Sequence, residues 1–559
     1  MRSRFFRDLR GKAFVYAAFL LSFTMQAKPQ SGPPPIHFSF HSIAFSLDSC
    51  ETPEKHAPET MAGGVAVFDY DNDGNLDIFF TNGADISTLR KTSEKYWNRL
   101  FRNNGDGTFT DVTEKAGLAG SGYDTAVAVG DYDNDGYEDI FVGGVHRNTL
   151  YHNNGDGTFT DVTEKAGLGR LDNEYGPLWS VGAAWVDVNN DGLLDLFVAN
   201  YLSWDGSNEP NCKVEGKRDY CHPKFYKPLP NQLFLNKGDG TFVDVSAQAG
   251  IRMHPGKGMG IGIADYDGDG FPDIFVANDK LPNFLFHNKG NAVFEEIAAE
   301  TGVALPENGS LISGMGVDFR DLNNDGNPDI SVVALQNETF PVYLNNGHGS
   351  FTEITGMSGM RLLSTPMSGF SPNIADFDND GWKDIFVARG DVASPDLAGR
   401  IQVDQPNTIF RNLQGEKWSA LTQEAGFTAQ RSKRHRGSAF GDFNHDGKLD
   451  LVVTAIGAPA EIWMNDTPNG NHWVELALQG TKSNRDGIGA RIRVMAGGQA
   501  QFNYVSTASG YASSSAGPVH FGLGPAKAVD EIEIRWPSGT VQTLKNVAAD
   551  QVLRIREPK

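Results

Sequence analysis

A nine-residue acidic stretch recurs along this chain, and its first copy occupies residues 69–77. Carboxylates stand at its first, third, fifth and ninth positions, and Gly74 stands at the sixth. Such a loop can place several side-chain oxygens around one point, because the glycine allows a sharp turn and the seventh residue can turn its carbonyl inward. Hard oxygen ligands in a flexible loop suit Ca²⁺ better than Zn²⁺ or Cu²⁺.

The pattern occurs seven times, in stretches that we call loops 1 to 7. The third position is Asn in loops 3, 5 and 7, which keeps an oxygen but removes one charge, so we expect weaker binding there. The predicted ligands are the side chains at positions 1, 3, 5 and 9 and the backbone carbonyl at position 7. In loop order these residues are Asp69, Asp71, Asp73, Asn75, Asp77; Asp131, Asp133, Asp135, Tyr137, Asp139; Asp187, Asn189, Asp191, Leu193, Asp195; Asp265, Asp267, Asp269, Phe271, Asp273; Asp321, Asn323, Asp325, Asn327, Asp329; Asp376, Asp378, Asp380, Trp382, Asp384; and Asp442, Asn444, Asp446, Lys448, Asp450.

Position 12 distinguishes these loops from an EF-hand, which needs a bidentate glutamate there. Here that position is Phe80 or a valine, inside apolar runs such as residues 140–142 that are typical of strands. The loops therefore join strands, and the sequence predicts one Ca²⁺ site in each of the seven. Solvated acidic turns without metal are the alternative, which the repetition in register disfavours.

The segments around the loops form a repeating unit of strands. A small-residue strand such as residues 64–68 precedes each loop, and a β-rich strand follows it. Segments like residues 98–103 and 105–112 come next, so each unit offers about four short strands. Loop-to-loop spacings of 55 to 78 residues are typical of a β-propeller at four strands per unit. The sequence thus predicts an all-β fold with a seven-bladed β-propeller over residues 37–467.

The two ends of the chain differ from these repeats. The last unit lacks a fourth strand, and residues 38–43 resemble one, so we expect this segment to complete the last blade and remove an exposed edge. Residues 468–559 alternate apolar and polar residues without a metal loop, which predicts a separate small β domain. Residues 1–27 have the basic and apolar regions of a signal peptide, with an uncleaved anchor as the alternative, and residues 28–36 form a proline-rich linker.

The seven loops with their flanking strands resemble the FG-GAP or VCBS repeats of integrin α-subunit propellers. Residues 483–491, Gly510-Tyr511, residues 520–524 and residues 535–539 resemble the ASPIC/UnbV domain. The two together resemble the cartilage acidic protein family. This resemblance implies a secreted Ca²⁺-binding protein with adhesive or interaction roles, and it implies no activity and no ligand-binding residues beyond the metal ligands.

The net charge, the apolar segments and the motifs of the chain disfavour several classes of function. The net charge of −22 argues against nucleic acid as a partner, and no segment after the signal looks transmembrane. We expect a secreted, periplasmic or cell-surface protein that binds an extracellular protein or glycan. Since no catalytic motif stands out, we expect no enzymatic activity. A lectin-like propeller and a Ca²⁺-dependent polysaccharide-active enzyme are the alternatives.

Three insertions join second to third strands, at residues 81–97, 201–230 and 389–406. Binding residues concentrate on loops, so we predict that a partner meets this face, with Trp179 and Arg436 near its centre. Cys212 and Cys221 lie nine positions apart in the second insertion and predict a disulfide in an oxidising compartment. The tripeptide 389–391 spells Arg-Gly-Asp, which we interpret as a strand end rather than an integrin-binding motif.

Overall fold

The computed structural model describes residues 36–169, 171–394, 401–468 and 470–559. The predicted signal peptide, linker residues 28–35 and residues 395–400 of the third insertion lie outside these ranges. In the described part of the chain, seven groups of four antiparallel strands follow one another as blades 1 to 7, and the four strands of blade 1 belong to a six-stranded sheet. From inner to outer strand they are Val65–Phe68, Asp77–Phe80, Arg99–Asn103, Phe109–Asp111; Tyr123–Gly130, Asp139–Val145, Thr149–Asn153, Phe159–Asp161; Ser180–Val186, Asp195–Asn200, Gln232–Asn236, Phe242–Asp244; Gly258–Ala264, Asp273–Asn278, Phe284–Asn288, Phe294–Glu296; Val317–Arg320, Asp329–Val332, Val342–Asn345, Phe351–Glu353; Gly369–Ala375, Asp384–Arg389, Thr408–Leu413, Lys417–Leu421; and His435–Gly441, Asp450–Ala455, Pro459–Asn465, Phe38–Ser46. The predicted all-β propeller is confirmed.

The innermost strands are rich in glycine and alanine because they crowd one another. A Cβ atom on Gly260 of blade 4 would lie 2.6 Å from the backbone nitrogen of Val317 in blade 5. One on Gly316 would lie 2.5 Å from the Phe370 carbonyl oxygen of blade 6. Larger side chains there would push neighbouring blades apart, so residue size at these positions sets how closely the blades converge.

The N-terminal strand closes the propeller, as predicted. Phe38–Ser46 pairs antiparallel with Pro459–Asn465, with Phe38 opposite Asn465 and Phe40 opposite Trp463. Phe38 is buried, and its ring stacks on Phe427 at a centroid distance of 5.4 Å. The outer edge of blade 7 is therefore covered by a strand from the other end of the chain.

Helices are short and lie between strands. The α-helices are Thr113–Ala116, Thr163–Ala166, Ala298–Thr301 and Met360–Ser364, and the 3₁₀ turns are Ala57–Thr60, Glu94–Tyr96, Gly206–Asn208, Pro223–Phe225, Ile251–Met253 and Phe427–Ala429. Over the described ranges, none is long and apolar enough to cross a bilayer. Two further strand pairs join Lys213–Val214 to Lys217–Arg218 and Leu229–Pro230 to Pro255–Gly256.

The C-terminal region forms two sheets around a core of its own. One sheet has the order Val519–Gly524, His472–Gln479, Gln551–Arg556, and the other has the order Gln499–Tyr504, Arg491–Ala496, Ala528–Arg535, Val541–Ala548. Ile492, Val494, Ile532 and Trp536 are buried between them. This region is nevertheless joined to the propeller in a way that the sequence did not predict.

A hairpin of Ala508–Ser509 and Ser513–Ser515 leaves the C-terminal sheets and enters the centre of the propeller. It pairs in parallel with the inner strand of blade 1, where Ser514 lies opposite Ala66. The hydroxyl oxygens of residues 513, 514 and 515 accept the N–H groups of Val65, Val129 and Phe440, which lie on the inner strands of blades 1, 2 and 7. Contacts with three different inner strands place this hairpin, which we call the axial hairpin, in the central channel.

The second insertion covers the opposite end of the channel. Cys212 and Cys221 form a disulfide within it. The Tyr220 hydroxyl lies 3.1 Å from both Glu51 and Glu59 near the N-terminus. The Asp219 carboxylate accepts the backbone N–H of Ser394, which lies in the third insertion, between the second and third strands of blade 6. The insertion therefore reaches from blade 3 across to other parts of the ring.

The structure corrects the prediction that Trp179 and Arg436 meet a partner, because both side chains are fully buried. The Arg436 guanidinium lies 3.8 Å from the centre of the Phe370 ring and donates to the carbonyl oxygens of Thr60 and Asp391. The Trp179 ring meets Tyr201, at the start of the second insertion, edge-on at a centroid distance of 5.1 Å. Arg389 and Asp391 are buried as well, so the Arg-Gly-Asp sequence is not displayed for recognition.

Candidate metal centres

Each acidic loop is shaped by hydrogen bonds to its own carboxylates. In all seven loops the position-1 carboxylate accepts the N–H of the position-6 glycine, for example Gly136 to Asp131 at 2.7 Å. These glycines have φ between +78° and +98°, a region that side chains disfavour. Position 4 is also left-handed, as at Asn72 with φ of +57°, and asparagine tolerates this conformation. The local sequence therefore folds each loop around its first carboxylate.

The position-9 aspartate links each loop to the sheet behind it. Asp77 accepts the N–H of Tyr70 at 3.1 Å with one oxygen and the N–H of Asn103 at 2.7 Å with the other. Equivalent pairs occur in the other six loops. This carboxylate is buried because it sits where the second strand begins, so its position is fixed by the blade.

Carboxylates from different positions converge in these loops. Oxygens of Asp69, Asp71 and Asp77 lie within 4.8 Å of one another, as do those of positions 1, 3 and 9 in loops 2 and 4. Asp71 Oδ1 is buried and has no hydrogen-bond partner among the described residues. A buried carboxylate oxygen without a donor is costly unless a cation meets it. The donor set of loop 1 therefore fits a hard divalent cation.

The position-3 asparagines of loops 3 and 5 and the position-7 residues make hydrogen bonds to the position-5 carboxylate of their own loop. In loops 3 and 5 the side-chain nitrogens of Asn189 and Asn323 donate to the position-5 carboxylates of Asp191 and Asp325, at 2.9 and 3.0 Å. The position-7 N–H donates to the position-5 carboxylate in all seven loops, at 2.8 to 3.0 Å. That bond fixes the seventh residue, and the role of its carbonyl as a ligand stays a prediction.

Burial and mutual repulsion disfavour ionisation of these carboxylates. Burial raises the pKa of Asp77 to about 8, and the neighbouring charge of Asp71 adds to the effect. Burial likewise raises the pKa of Asp131 to about 8, with a contribution from Asp486, and that of Asp273 to about 7. A bound cation would favour the ionised forms and reverse these shifts.

Asparagine side chains join neighbouring loops into a ring, a feature that sequence reasoning missed. In five loops the position-4 asparagine donates to the position-6 carbonyl of the next loop, as Asn72 does to Gly136 at 2.8 Å. The asparagine that ends each third strand donates to the position-2 carbonyl of the preceding loop in all seven blades, as Asn345 does to Tyr266 at 2.7 Å. The sequence does show an asparagine at or next to the end of every third strand, and this recurrence could have predicted the ring.

The third-strand residue just before that asparagine was also missed. Beside loop 1 this residue is Arg102, and its guanidinium donates to Asp71 at 2.7 Å and to Asp73 at 2.6 Å. It is a histidine in loops 2 and 4, where His152 Nδ1 lies 3.1 Å from Asp139 and His287 Nδ1 lies 3.1 Å from Asp273. These side chains belong to the acidic clusters although they lie far from the loops in sequence.

The C-terminal region covers part of the loop face. Asp486 accepts the N–H of Asp131 at 2.8 Å, and the N–H of Arg485 donates to the Asn134 side chain at 2.7 Å, so this region meets loop 2. The Arg491 guanidinium donates to the Gly326 carbonyl of loop 5 at 2.6 Å. In loop 6 the Asn471 side chain donates to the Asp378 carbonyl at 2.8 Å, and Asp376 is buried. Any cation in these loops would therefore also stabilise the contact between propeller and C-terminal sheets.

Comparison with known proteins matches both parts of the chain. The FG-GAP-like repeat family matches residues 69–142, 131–198, 226–276, 265–332 and 321–387, which together exceed half of the chain. The ASPIC and UnbV family matches residues 480–559.

Individual relatives are similar to this chain over different lengths. Cartilage acidic protein 1 of Homo sapiens is 27% identical over 518 residues, which cover 89% of this chain and 72% of that protein. Integrin alpha-4 of Xenopus laevis is 30% identical over 251 residues, 41% of this chain and 21% of the integrin. Among solved structures, an Agrocybe aegerita lectin that recognises non-reducing terminal N-acetylglucosamine has a TM-score of 0.40 at 17% identity, over 71% of this chain and 86% of the lectin. The chain belongs to the FG-GAP-like repeat family, carries an ASPIC and UnbV domain after the repeats, and is similar to cartilage acidic protein 1 over most of its length.

Proposed function

We propose that this protein is a secreted Ca²⁺-dependent interaction module without a catalytic role. The observation that carries the proposal is the convergence of three carboxylates in loop 1, one of which has a buried oxygen that accepts no hydrogen bond from the residues that the structure describes. Bound Ca²⁺ would supply positive charge to these oxygens. We propose one such site in each blade, with loops 3, 5 and 7 the weaker ones because each carries one carboxylate fewer.

The cations would act mainly by making the molecule rigid. The loops are joined to one another through asparagine side chains, and loops 2, 5 and 6 also support the C-terminal region. A rigid ring leaves the opposite face, with the disulfide-linked insertion, to present binding residues. Phe225 in that insertion is 55% exposed and Val214 is 38% exposed, so they replace Trp179 and Arg436 as our proposed contacts with an extracellular protein or glycan.

Two observations support export from the cytoplasm. The chain begins with a basic segment followed by an apolar one, as secretory signals do. The Cys212–Cys221 disulfide is a bond that persists in oxidising compartments.

The test is to count bound Ca²⁺ and to measure its effect on stability. Asp71→Ala removes one predicted ligand, and Asp106→Ala removes the same charge from an exposed turn in the same blade. We expect Asp71→Ala to bind one Ca²⁺ fewer and Asp106→Ala to bind as many as the wild type. At free Ca²⁺ about 100-fold above Kd, each site adds about 2.7 kcal/mol to the free energy of unfolding. Absence of bound Ca²⁺ by elemental analysis, together with unchanged melting in excess chelator, would contradict the proposal.

A further inference from the structure

The third-strand residue beside each loop varies with the number of carboxylates in that loop. Loops 1, 2, 4 and 6 have Asp at position 3, and the adjacent residues are Arg102, His152, His287 and Arg411. Loops 3, 5 and 7 have Asn at position 3, and the adjacent residues are Leu235, Leu344 and Met464. A basic side chain thus accompanies every four-carboxylate loop, and an apolar one accompanies every three-carboxylate loop.

The arginines and the histidines reach different parts of the cluster. Arg102 contacts the carboxylates of positions 3 and 5, which keep 21% and 24% of their side-chain surface exposed. His152 Nδ1 instead lies 3.1 Å from the fully buried position-9 carboxylate of Asp139 and 3.4 Å from Asp133. His287 repeats this arrangement, at 3.1 Å from Asp273 and 3.7 Å from Asp267. Arg411 likewise contacts positions 3 and 5 of loop 6, at Asp378 and Asp380. The arginines therefore meet the carboxylates of positions 3 and 5, whereas the imidazoles meet those of positions 3 and 9.

The imidazole is positioned as a metal ligand would be. A ligand atom of His152 lies within 4.8 Å of carboxylate oxygens from both Asp133 and Asp135, and His287 is placed likewise with Asp267 and Asp269. For metal–ligand distances of about 2.1 Å, adjacent ligands of an octahedral ion are separated by about 3 Å. The 3.1 Å between His152 Nδ1 and Asp139 Oδ1 is close to that value. It is also the length of a hydrogen bond between the two atoms, so a metal ion bound there would replace the shared proton.

We propose that His152 and His287 supply a nitrogen ligand in loops 2 and 4, so that these two loops also accept first-row divalent transition ions such as Mn²⁺ or Zn²⁺. This inference rests on the proposed metal-binding function. Imidazole nitrogen suits transition ions, whereas Ca²⁺ takes oxygen ligands, so the histidines distinguish two loops from the other five. In loops 1 and 6 the guanidinium has no lone pair to offer and balances charge instead.

The experiment uses the full-length protein in Ca²⁺, with Mn²⁺ added as the probe. Pulsed electron paramagnetic resonance detects the ¹⁴N nucleus of an imidazole bound to Mn²⁺. The test variant is the double substitution His152→Leu and His287→Leu, because leucine stands at the equivalent positions of loops 3 and 5. The control is His348→Leu, which removes an exposed imidazole from a turn outside the loops.

We expect ¹⁴N coupling in the wild type and in His348→Leu, and its loss in the double variant. Mn²⁺ should bind the double variant at least tenfold more weakly, with the number of bound Ca²⁺ ions unchanged. Mn²⁺ binding without ¹⁴N coupling in the wild type would overturn this inference while leaving the Ca²⁺ proposal intact. Equal coupling in the wild type and the double variant would overturn it too. Failure to bind either ion would instead refute the proposed function.

Discussion

The axial hairpin gives the sharpest test of how the C-terminal region is joined to the propeller. Tyr511, at its tip, is fully buried, and its hydroxyl donates to the Met61 carbonyl at 2.6 Å. Its ring meets Phe370 of blade 6 edge-on at a centroid distance of 5.3 Å. The side chain thus joins the C-terminal region to the N-terminal segment and to blade 6.

Tyr511→Ala should therefore destabilise the whole molecule. Removing a buried aromatic ring costs about 3–5 kcal/mol, because apolar burial is lost and a cavity remains. Tyr511→Phe keeps the ring and removes only the hydroxyl, which leaves the Met61 carbonyl without that donor and costs about 1–2 kcal/mol. The expected order of stability is wild type, then Tyr511→Phe, then Tyr511→Ala.

The measurement is urea unfolding followed by tryptophan fluorescence, with limited proteolysis as a second readout. Leu362→Ala is the control because Leu362 is 84% exposed, and it should change the free energy of unfolding by less than about 0.5 kcal/mol. In Tyr511→Ala we expect proteolysis to begin within residues 505–517. If Tyr511→Ala unfolds at the same urea concentration as Leu362→Ala, the hairpin is not packed in the channel.

Two further predictions concern closure and pH. Deleting residues 1–46 should cause aggregation, because it uncovers the strand Pro459–Asn465 and removes the Phe38–Phe427 contact. Light scattering measures the aggregation, and a truncated protein that stays monomeric and melts like the wild type would contradict this account. In chelator, the melting temperature should fall as the pH rises from about 4 to about 8. The folded protein keeps protons on Asp77 and Asp131 over this range, whereas the unfolded chain has lost them. Saturating Ca²⁺ should abolish that fall, and parallel melting curves with and without Ca²⁺ across this range would refute the assignment.

Local features of this fold could be predicted from the sequence because each depends on neighbouring residues. The position-6 glycines and the alternating carboxylates fix the loops, since those turns need left-handed backbone and nearby donors. The spacing of the repeats indicated the propeller, and the incomplete last unit indicated closure by Phe38–Ser46. Each of these inferences required only one repeat or a comparison between repeats.

Contacts between distant parts of the chain were decided only by the tertiary structure. His152 joins the cluster of Asp133 because adjacent strands bring them together across 19 positions, and no local pattern marks it as a ligand. Trp179 and Arg436 looked like surface loop residues, but both are buried. Tyr201 packs against the Trp179 ring, and the carbonyl oxygens of Thr60 and Asp391 accept hydrogen bonds from the Arg436 guanidinium. The sequence analysis placed residues 508–515 in a separate C-terminal domain, yet the inner strands of blades 1, 2 and 7 have N–H groups that donate to these residues in the central channel. The burial of these side chains and their hydrogen-bond partners depend on the closed ring, which exists only once all seven blades have assembled.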